Sequence, residues 1–237
     1  MNVAIMQPYF FPYIGYFSLI QSCDKFIIFD TPQFMRKGWI ERNRILKLSG
    51  GSTYIKVPLI KSPLDTAILD MKINNDTDWK NKIISQLDIY KKIAPFYKPT
   101  MDLVNQCLDG EYTKISKLNE NIIRKISLYL GITTEISVYS SSTDIINHVN
   151  NPDEWALEIC KKIGAKTYIN APGGKEFFNK EKYEKENIEL LFINPILEEY
   201  KQGRNSFEPG LSIIDLLMFN SKETVFNLIN NYTLTKN

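Results

Sequence analysis

The sequence is poor in the residues on which metal sites and most acid-base catalysis depend. Its 237 residues include a single histidine, His148, and three widely spaced cysteines. One histidine cannot build a histidine-rich metal site, and it argues against a Ser-His-Asp triad. The cysteines lie inside apolar periodic segments, which is typical of buried, reduced thiols rather than of a disulfide framework or a zinc site.

A strong net charge, long apolar runs and phosphate-binding loops are missing as well. With 29 basic and 27 acidic side chains the net charge is +2, which gives no reason to expect nucleic acid as a partner. No apolar run reaches about 18 residues and the N-terminus lacks a signal-peptide pattern, so we expect a cytoplasmic chain without membrane insertion. Neither GxxxxGK[ST] nor an early GxGxxG is present, so any phosphate must be held by arginine, lysine or main-chain N–H groups.

The start of the chain carries a dense aromatic stretch, MQPYFFPYIGYF, at positions 6–17. It has six aromatic residues, two prolines, one glutamine and no charge. The aromatics can simply fill the core. Alternatively, the prolines stiffen a wall on which Tyr9 and Tyr16 contact a sugar ring or a nucleobase. The Gln7 amide would then donate and accept the hydrogen bonds that orient this ligand.

This stretch lies inside a strand-helix-strand pattern. Val3 to Met6 reads as a buried strand, YIGYFSLIQSC as a helix, and Lys25 to Asp30 as a second strand. Such a βαβ unit implies parallel pairing and a right-handed crossover. Ligands of open parallel sheets bind at the carboxyl ends of the strands, which is where Gln7 and Asp30 stand.

A basic segment follows the second strand. Within DTPQFMRKGWIERNRI stand Arg36, Lys37, Trp39, Arg42, Asn43 and Arg44. We expect this segment to be helical. Arginine guanidinium groups match phosphate oxygens and Trp39 offers a stacking face, so the segment can bind the diphosphate and the base of a nucleotide. A solvated helix face is the alternative. Asp30 is the candidate carboxylate for an amine contact or a general base, and a turn carboxylate explains it equally well.

The rest of the chain completes an α/β pattern. STYIKVPLI and TAILDMKI predict two strands and a hairpin, and residues from about 76 to about 131 are helical in pattern. The last third alternates strands (TEISVYSSS, KTYINA, IELLFI) with helices, and LSIIDLLMF and KETVFNLINNY close the chain as helices. We predict one α/β domain over residues 1–237, with a mostly parallel sheet, a Rossmann-like βαβ start and a helical lobe at about 76–131.

Two late segments add polar candidates. In YINAPGGKEFF, Asn170 stands at a strand end before Gly173 and Gly174, where a main chain can approach an anion. A later polar loop gathers Glu198, Glu199, Tyr200, Gln202 and Arg204. On the helix after it, Ser212 and Asp215 are expected to be structural and to tie a neighbouring loop by hydrogen bonds.

The sequence resembles the WbqC-like family of bacterial polysaccharide gene clusters from Met1 to about Leu228. The matching motifs, in order, are MQPYFFPYIGYF, FIIFDTPQFMRKGWIERNRI, YINAPGGKEFF and YKQGRNSFEPGLSIIDLLMFN. The resemblance implies transfer of glycine or another acyl group to the amine of a nucleotide-linked amino-dideoxy sugar, in O-antigen or lipopolysaccharide biosynthesis. It implies no prosthetic group, and an activated acyl or aminoacyl donor such as a thioester of CoA or of an acyl carrier protein. The residues on motif positions are Gln7, Tyr9, Tyr16, Asp30, Gln33, Arg36, Trp39, Arg42, Asn43, Asn170, Tyr200 and Gln202.

Amide formation suggests roles for some of these residues. The reaction needs a neutral amine, an activated donor and hydrogen-bond donors for the developing oxyanion, and it needs no metal. We expect Asp30 to accept the amine proton and Gln7 or Asn43 to bind the oxyanion. The arginines would hold the nucleotide diphosphate.

The sequence departs from the family pattern at one place, and two other functions are also compatible with it. Many members carry a histidine-proline pair where this sequence has Leu197 and Glu198. If that histidine is the usual base, this chain needs another group, such as Asp30 or Glu199. The strand-turn-helix-strand layout also resembles nucleotidyltransferases, although their HxGH motif is missing, so a nucleotidyltransferase-like enzyme is one alternative. A non-catalytic sugar-nucleotide binding protein is the other, because the usual general acid-base residue is lacking.

Overall fold

The computed structural model describes residues 1–47, 49–143, 146, 148–203 and 206–236. The strands in these ranges are β1 Asn2–Met6, β2 Lys25–Ile28, β3 Arg42–Leu46, β4 Ser52–Lys56, β5 Glu135–Val138, β6 Thr167–Asn170, β7 Glu189–Pro195 and β8 Tyr232–Thr235. The α-helices are α1 Ile14–Gln21, α2 Trp79–Leu87, α3 Tyr97–Leu108, α4 Ile115–Leu130, α5 Glu154–Lys162, α6 Lys180–Lys185, α7 Ile213–Phe219 and α8 Lys222–Ile229. None of the helices described here has the length and apolar character needed to cross a bilayer.

The main sheet has the order β5-β2-β1-β6-β7-β8. Its first five strands are parallel, and β8 pairs antiparallel with β7. The chain runs from β1 outward through β2 to β5 and then returns to β6 on the other side of β1. The direction of winding therefore reverses between β1 and β6, and in open sheets ligands bind in the crevice at that point. The predicted α/β class with a mostly parallel sheet is confirmed.

Hydrophobic clusters cover both faces of the sheet. Val3 and Ile5 of β1 pack into a cluster with α5 and α6, whereas Ala4 belongs to the cluster that includes Phe17 of α1 and Ile122 of α4. Successive side chains of a strand point to opposite faces, so β1 feeds both clusters. This explains why the strand reads as a continuous apolar run rather than as an alternating one.

The predicted middle helices are α2, α3 and α4. Asp78 caps α2 by accepting from the Asn81 main chain. Gly131 ends α4 with φ +84°, a left-handed conformation that glycine adopts without strain. Since α4 shares a hydrophobic cluster with β1 and α1, these helices are part of the same core as the sheet. The division of the chain into domains stays a prediction.

The prediction of a helix in the basic segment is wrong, because residues 31–41 form turns and bends and the rest is a strand. RNRIL forms β3, which pairs antiparallel with β4 through a turn at Gly50 and Gly51, with φ values of +94° and +71°. Ile45 of β3 and Ile55 of β4 are fully buried, while the arginines of β3 lie on the other face of the hairpin. This alternation of buried and exposed side chains is that of a strand and not of a helix. The expected partner of β4, TAILDMKI, instead forms a 3-10 turn at Ile68–Asp70.

The predicted last helix also ends earlier than expected. It stops at Ile229, and the chain then adds β8 to the edge of the sheet. This strand is held by the pairing of four of its residues with β7. Such pairing between distant segments is not encoded in the local sequence pattern.

Candidate functional site

A cavity of about 360 Å³, here called the aromatic cavity, opens at the switch point of the sheet. Its lining consists of Met6, Tyr9, Tyr13, Gly15, Tyr16, Leu19, Trp39, Asn43, Arg44, Ala171 and Gly210. Met6 ends β1 and Ala171 follows β6, so the cavity lies at the carboxyl ends of the two strands between which the winding reverses. Tyr9, Tyr16, Trp39, Asn43 and Arg44 are the predicted site residues that this cavity brings together.

The loop at positions 7–13 forms one wall of the cavity and is fixed by side chains from distant segments. Asn43 on β3 donates to the carbonyls of Phe10 and Phe11 at 3.1 and 2.8 Å. The Ser212 hydroxyl, just before α7, donates to the same Phe11 carbonyl at 2.8 Å. Phe11 has φ +41°, which is uncommon for a bulky residue and persists only where the surroundings enforce it.

Three further hydrogen bonds fix the ends of this loop. Asn119 of α4 donates to Pro8 O, the Ile213 main chain to Pro12 O and the Tyr16 hydroxyl to Gln7 O, each at 2.9 Å. Because carbonyls along the loop are satisfied inside the protein, the loop is a rigid wall and not a flexible lid. Asn119 was missed from the sequence because a single buried asparagine in an amphipathic helix carries no local signal.

The tyrosines of the cavity are hydrogen-bond donors at neutral pH. Burial raises the pKa of Tyr9, Tyr13 and Tyr16 above the ordinary tyrosine value, so their hydroxyls stay protonated. The rings of Tyr9 and Tyr16 lie 5.5 Å apart, centroid to centroid, and are tilted by 45°. The Trp39 side chain is 41% exposed and offers an indole face to a ligand.

Arg44 supplies the positive charge at the cavity. Its guanidinium contacts the Glu208 carboxylate at 3.3 Å and donates to the carbonyls of Pro209 and Gly210 at 3.1 and 3.3 Å. Its Nε is buried and has no hydrogen-bond partner among the described residues. These contacts are long, so an anion with two oxygens can compete for the guanidinium fork.

Asn43 holds the wall rather than facing the cavity with free donors. Its amide nitrogen donates to both loop carbonyls, and its Oδ1 accepts from the Arg44 main-chain N–H at 2.8 Å. An amide nitrogen has two N–H groups, and here each has an acceptor. The arrangement suits a positioning residue better than an oxyanion donor.

Asp30 does not line the cavity. Its carboxylate is 2% exposed and accepts from the Ser140 hydroxyl at 2.6 Å and from the Ser140 main chain at 3.1 Å. These bonds tie the end of β2 to the turn after β5. Gln7 is half-buried, and its side chain forms no hydrogen bond with any residue in the described ranges, while its neighbour Met6 lines the cavity.

Tyr200 and Gln202 belong to a buried network around Asp215. The Tyr200 hydroxyl and the Gln202 amide donate to Asp215 Oδ2 at 2.6 and 2.8 Å, and the Tyr90 hydroxyl donates to Oδ1 at 2.6 Å. Burial raises the pKa of Asp215, and the three donors oppose this shift. Gln202 also exchanges two hydrogen bonds with the Glu208 main chain, at 2.7 and 3.1 Å. The network therefore supports the loop whose Glu208 side chain contacts the arginine of the cavity.

The structural roles predicted for Ser212 and Asp215 are confirmed by these bonds. Of the other residues in the late polar loop, Glu199 is exposed, and Arg204 lies outside the described residues. Asn170 is buried at the end of β6, where its Oδ1 accepts from the Ala171 main chain at 2.8 Å. It lies next to the cavity lining without being part of it.

The remaining predicted binding residues lie away from the aromatic cavity. Gln33 and Arg36 donate to main-chain carbonyls in the segment 62–64, at 2.6 Å each. The Arg42 guanidinium lies 4.2 Å from the centroid of the Tyr54 ring, a cation–π contact across the β3-β4 hairpin. The segment that was expected to bind one ligand thus divides between two surfaces.

The sequence did not single out Tyr13, Gly15 and Gly210 as site residues. A Cβ on Gly15 would lie 2.5 Å from ring carbons of Tyr13, so this glycine makes room for the ring in the cavity wall. Tyr13 and Gly15 both belong to the aromatic stretch, and their two-residue spacing is the feature of the sequence that could have identified them. In the described part of the chain, no three His, Cys, Asp or Glu side chains form a group that could hold a metal ion.

The model of the WbqC-like protein family matches residues 7–226, a range that includes every cavity residue after Met6. The chain belongs to the WbqC-like protein family. It is 31% identical over 219 residues to the uncharacterized protein Rv1507c of Mycobacterium tuberculosis, covering 91% of this chain and 92% of that protein. No solved structure matches the chain significantly.

Proposed function

We propose that this WbqC-like chain binds a nucleotide-linked amino-dideoxy sugar in the aromatic cavity and acylates the sugar amine with a glycyl or other acyl group. The supporting observation is the cavity itself, where Tyr9, Tyr16 and Trp39 stand around a switch-point crevice with Arg44 in its lining. Aromatic faces suit a base or a sugar ring, and an arginine fork suits a diphosphate. Its volume of about 360 Å³ is in the range of small-ligand sites. The step would belong to O-antigen or lipopolysaccharide synthesis on the cytoplasmic side.

The chemistry is an exchange of a thioester for an amide. The neutral sugar amine attacks the thioester carbonyl, a carbon–nitrogen bond forms, the carbon–sulfur bond breaks, and the amine proton leaves with the thiolate as thiol. The neutral hydroxyls of Tyr9 and Tyr13 are the proposed donors to the oxyanion. A base role for Asp30 would require its carboxylate to leave Ser140. The Gln7 amide, which bonds to no described residue, is the proposed contact to the substrate at the edge of the cavity.

The test is turnover of a dTDP-linked or UDP-linked amino-dideoxy sugar with acetyl-CoA, glycyl thioesters and an acyl carrier thioester, followed by mass spectrometry. The proposal predicts a product heavier by one acyl group, and loss of product in Trp39→Ala and Arg44→Gln. Trp155→Phe, which changes an aromatic residue on the opposite face of the sheet, is the matched control. Full turnover by both cavity variants would contradict the site assignment.

A non-catalytic binding protein is the second candidate. The observation that favours it is the lining of the cavity, which in the described chain includes no carboxylate and no imidazole. Tight binding of the nucleotide sugar in calorimetry, together with no acyl product from any donor, would support the binding protein over the transferase. Release of pyrophosphate from a nucleoside triphosphate would instead favour the nucleotidyltransferase alternative.

A further inference from the structure

A second concave surface uses the same segment that contributes Trp39, Asn43 and Arg44 to the aromatic cavity. It is a groove of about 230 Å³, here called the basic groove, and it shares no residue with that cavity. Its polar lining is Arg36, Lys37, Glu41, Lys56, Lys61 and Ser62. Residues 36–44 thus supply side chains to two separate sites.

The basic groove carries a net positive charge, because its lining holds four cations and one carboxylate, that of Glu41. Lys37, Lys56 and Lys61 are exposed and form no ion pair with any residue in the described ranges. Arg36 donates to one carbonyl, that of Ser62, and its guanidinium forms no other hydrogen bond or ion pair with a described residue. Four cations in one concavity, lined in part by apolar side chains, attract and retain an anion.

The turn at Lys37 is strained and is held in place from both sides. Lys37 has φ +60°, a left-handed conformation that a lysine seldom adopts. Its main-chain N–H donates to Glu41 Oε1 at 2.8 Å, and its carbonyl accepts from the Arg42 guanidinium. Such backbone strain persists where charged partners enforce it, and it concentrates at ligand-binding sites.

Glu41 supplies a largely buried carboxylate to the lining of the basic groove. The residue is 5% exposed, and its Oε2 is buried without a hydrogen-bond partner among the described residues. A buried carboxylate oxygen without a partner is energetically unfavourable and calls for an explanation. Since this oxygen is closed to solvent, the role of Glu41 in the groove is to hold the Lys37 turn, and a phosphate-bearing ligand would contact the exposed cations.

We propose that the basic groove binds the phosphate groups of the acyl donor, and that this donor is a nucleotide-bearing thioester of the coenzyme A type. The inference rests on the proposed function, since it assigns the second substrate of that reaction. The disjoint linings allow acceptor and donor to be bound at the same time, by neighbouring residues of one segment. Apolar lining from Phe34 and Met71 would contact the base or the pantetheine arm.

Calorimetry on the full chain tests the basic groove, with coenzyme A and inorganic pyrophosphate as probes. We compare the wild type with Lys56→Gln/Lys61→Gln and with Lys92→Gln/Lys98→Gln, a control that removes the same charge from exposed lysines elsewhere. The proposal predicts that coenzyme A binding weakens about tenfold or more in the first variant and less than twofold in the control. Equal weakening in both variants, or none in either, would overturn it.

Two further results of the calorimetry show which ligand the basic groove binds and whether the proposed function is correct. Binding of pyrophosphate without binding of coenzyme A would leave an anion site and overturn the donor assignment. Titration with a dTDP-linked amino sugar separates this inference from the proposed function, because that ligand should bind the Lys56→Gln/Lys61→Gln variant normally. If coenzyme A binds the groove and no nucleotide sugar binds the wild type, the proposed acceptor is wrong while the groove assignment stands.

Discussion

The Asn43 side chain donates to the main-chain carbonyl of Phe11 at 2.8 Å, across 32 residues of sequence. This bond joins the two sequence motifs of the site, since Asn43 lies in the basic segment and Phe11 in the aromatic stretch. It holds the aromatic wall in a left-handed turn at Phe11. The aromatic wall is therefore in place before any ligand binds.

Asn43→Ala should destabilise the fold. It leaves two buried carbonyls with fewer donors and releases the strained turn, so the free energy of unfolding should fall by about 2–4 kcal/mol. Urea denaturation measures the change. The exposed Asn227→Ala should lie within about 0.5 kcal/mol of wild type. An equally small effect at Asn43 would mean that the loop is held by other contacts.

Gly15→Ala should weaken ligand binding while leaving the fold intact. The new Cβ would push the Tyr13 ring into the cavity, whereas alanine in α1 is favoured over glycine by up to about 1 kcal/mol. We expect unchanged or higher thermal stability together with weaker binding of a dTDP-linked sugar. In Tyr13→Ala/Gly15→Ala the clash is absent, so Gly15→Ala should cause no further loss in that background. Full additivity of the two losses would count against this explanation.

Trp39→Ala should weaken nucleotide-sugar binding by about tenfold or more, because one aromatic stacking contact is worth about 1–3 kcal/mol. Trp39→Phe should retain most of the affinity. Since the side chain is 41% exposed, stability should change little in either variant. Calorimetry and thermal unfolding on the same samples separate the two effects. Equal affinity of the alanine variant and the wild type would place the base elsewhere.

The three cysteines should be inert in the folded protein. Burial raises the pKa of Cys23, Cys107 and Cys160 to about 12, so almost no thiolate exists near pH 8. In the unfolded chain these thiols ionise near pH 8.5. Between the two values the unfolded state binds fewer protons, so this contribution to stability falls as pH rises.

Labelling with a thiol reagent at about pH 8 checks this prediction, with the same protein in guanidinium chloride as the reference. We expect three fast-reacting thiols after unfolding and none before. A native thiol that reacts at the unfolded rate would contradict the burial, and a rise in unfolding free energy between about pH 9 and pH 11 would contradict the sign of the linkage.

Much of the fold follows from local pattern. β1, α1 and β2 were predictable because buried parallel strands read as apolar runs and the helix between them is bounded by a proline and by polar residues. The basic segment was predicted as a helix because its charges suggest a helix face. The burial of Ile45 and Ile55, which lie on the same face of the β3-β4 pair, favoured a hairpin instead. The strand β8 depends on pairing with β7 and carries almost no local signal of its own.

Some residues of the candidate site could also be predicted from local sequence, and others could not. Tyr9, Tyr16 and Trp39 could be named because the aromatic stretch and the basic segment that contain them each follow a predicted strand and are visible in the sequence. Asp30 could not be placed, since its bond to Ser140 spans 110 residues. The tie between Gln202 and Asp215 is equally invisible, because a buried polar network exists only after the chain has folded.

The most direct test of the account is a crystal structure of this chain with a dTDP-linked amino sugar. We expect the base or the sugar ring against Tyr9, Tyr16 and Trp39, the diphosphate on Arg44, and an unmoved main chain at positions 7–13. A ligand bound elsewhere, with the aromatic cavity empty, would contradict the assignment of this cavity as the acceptor site.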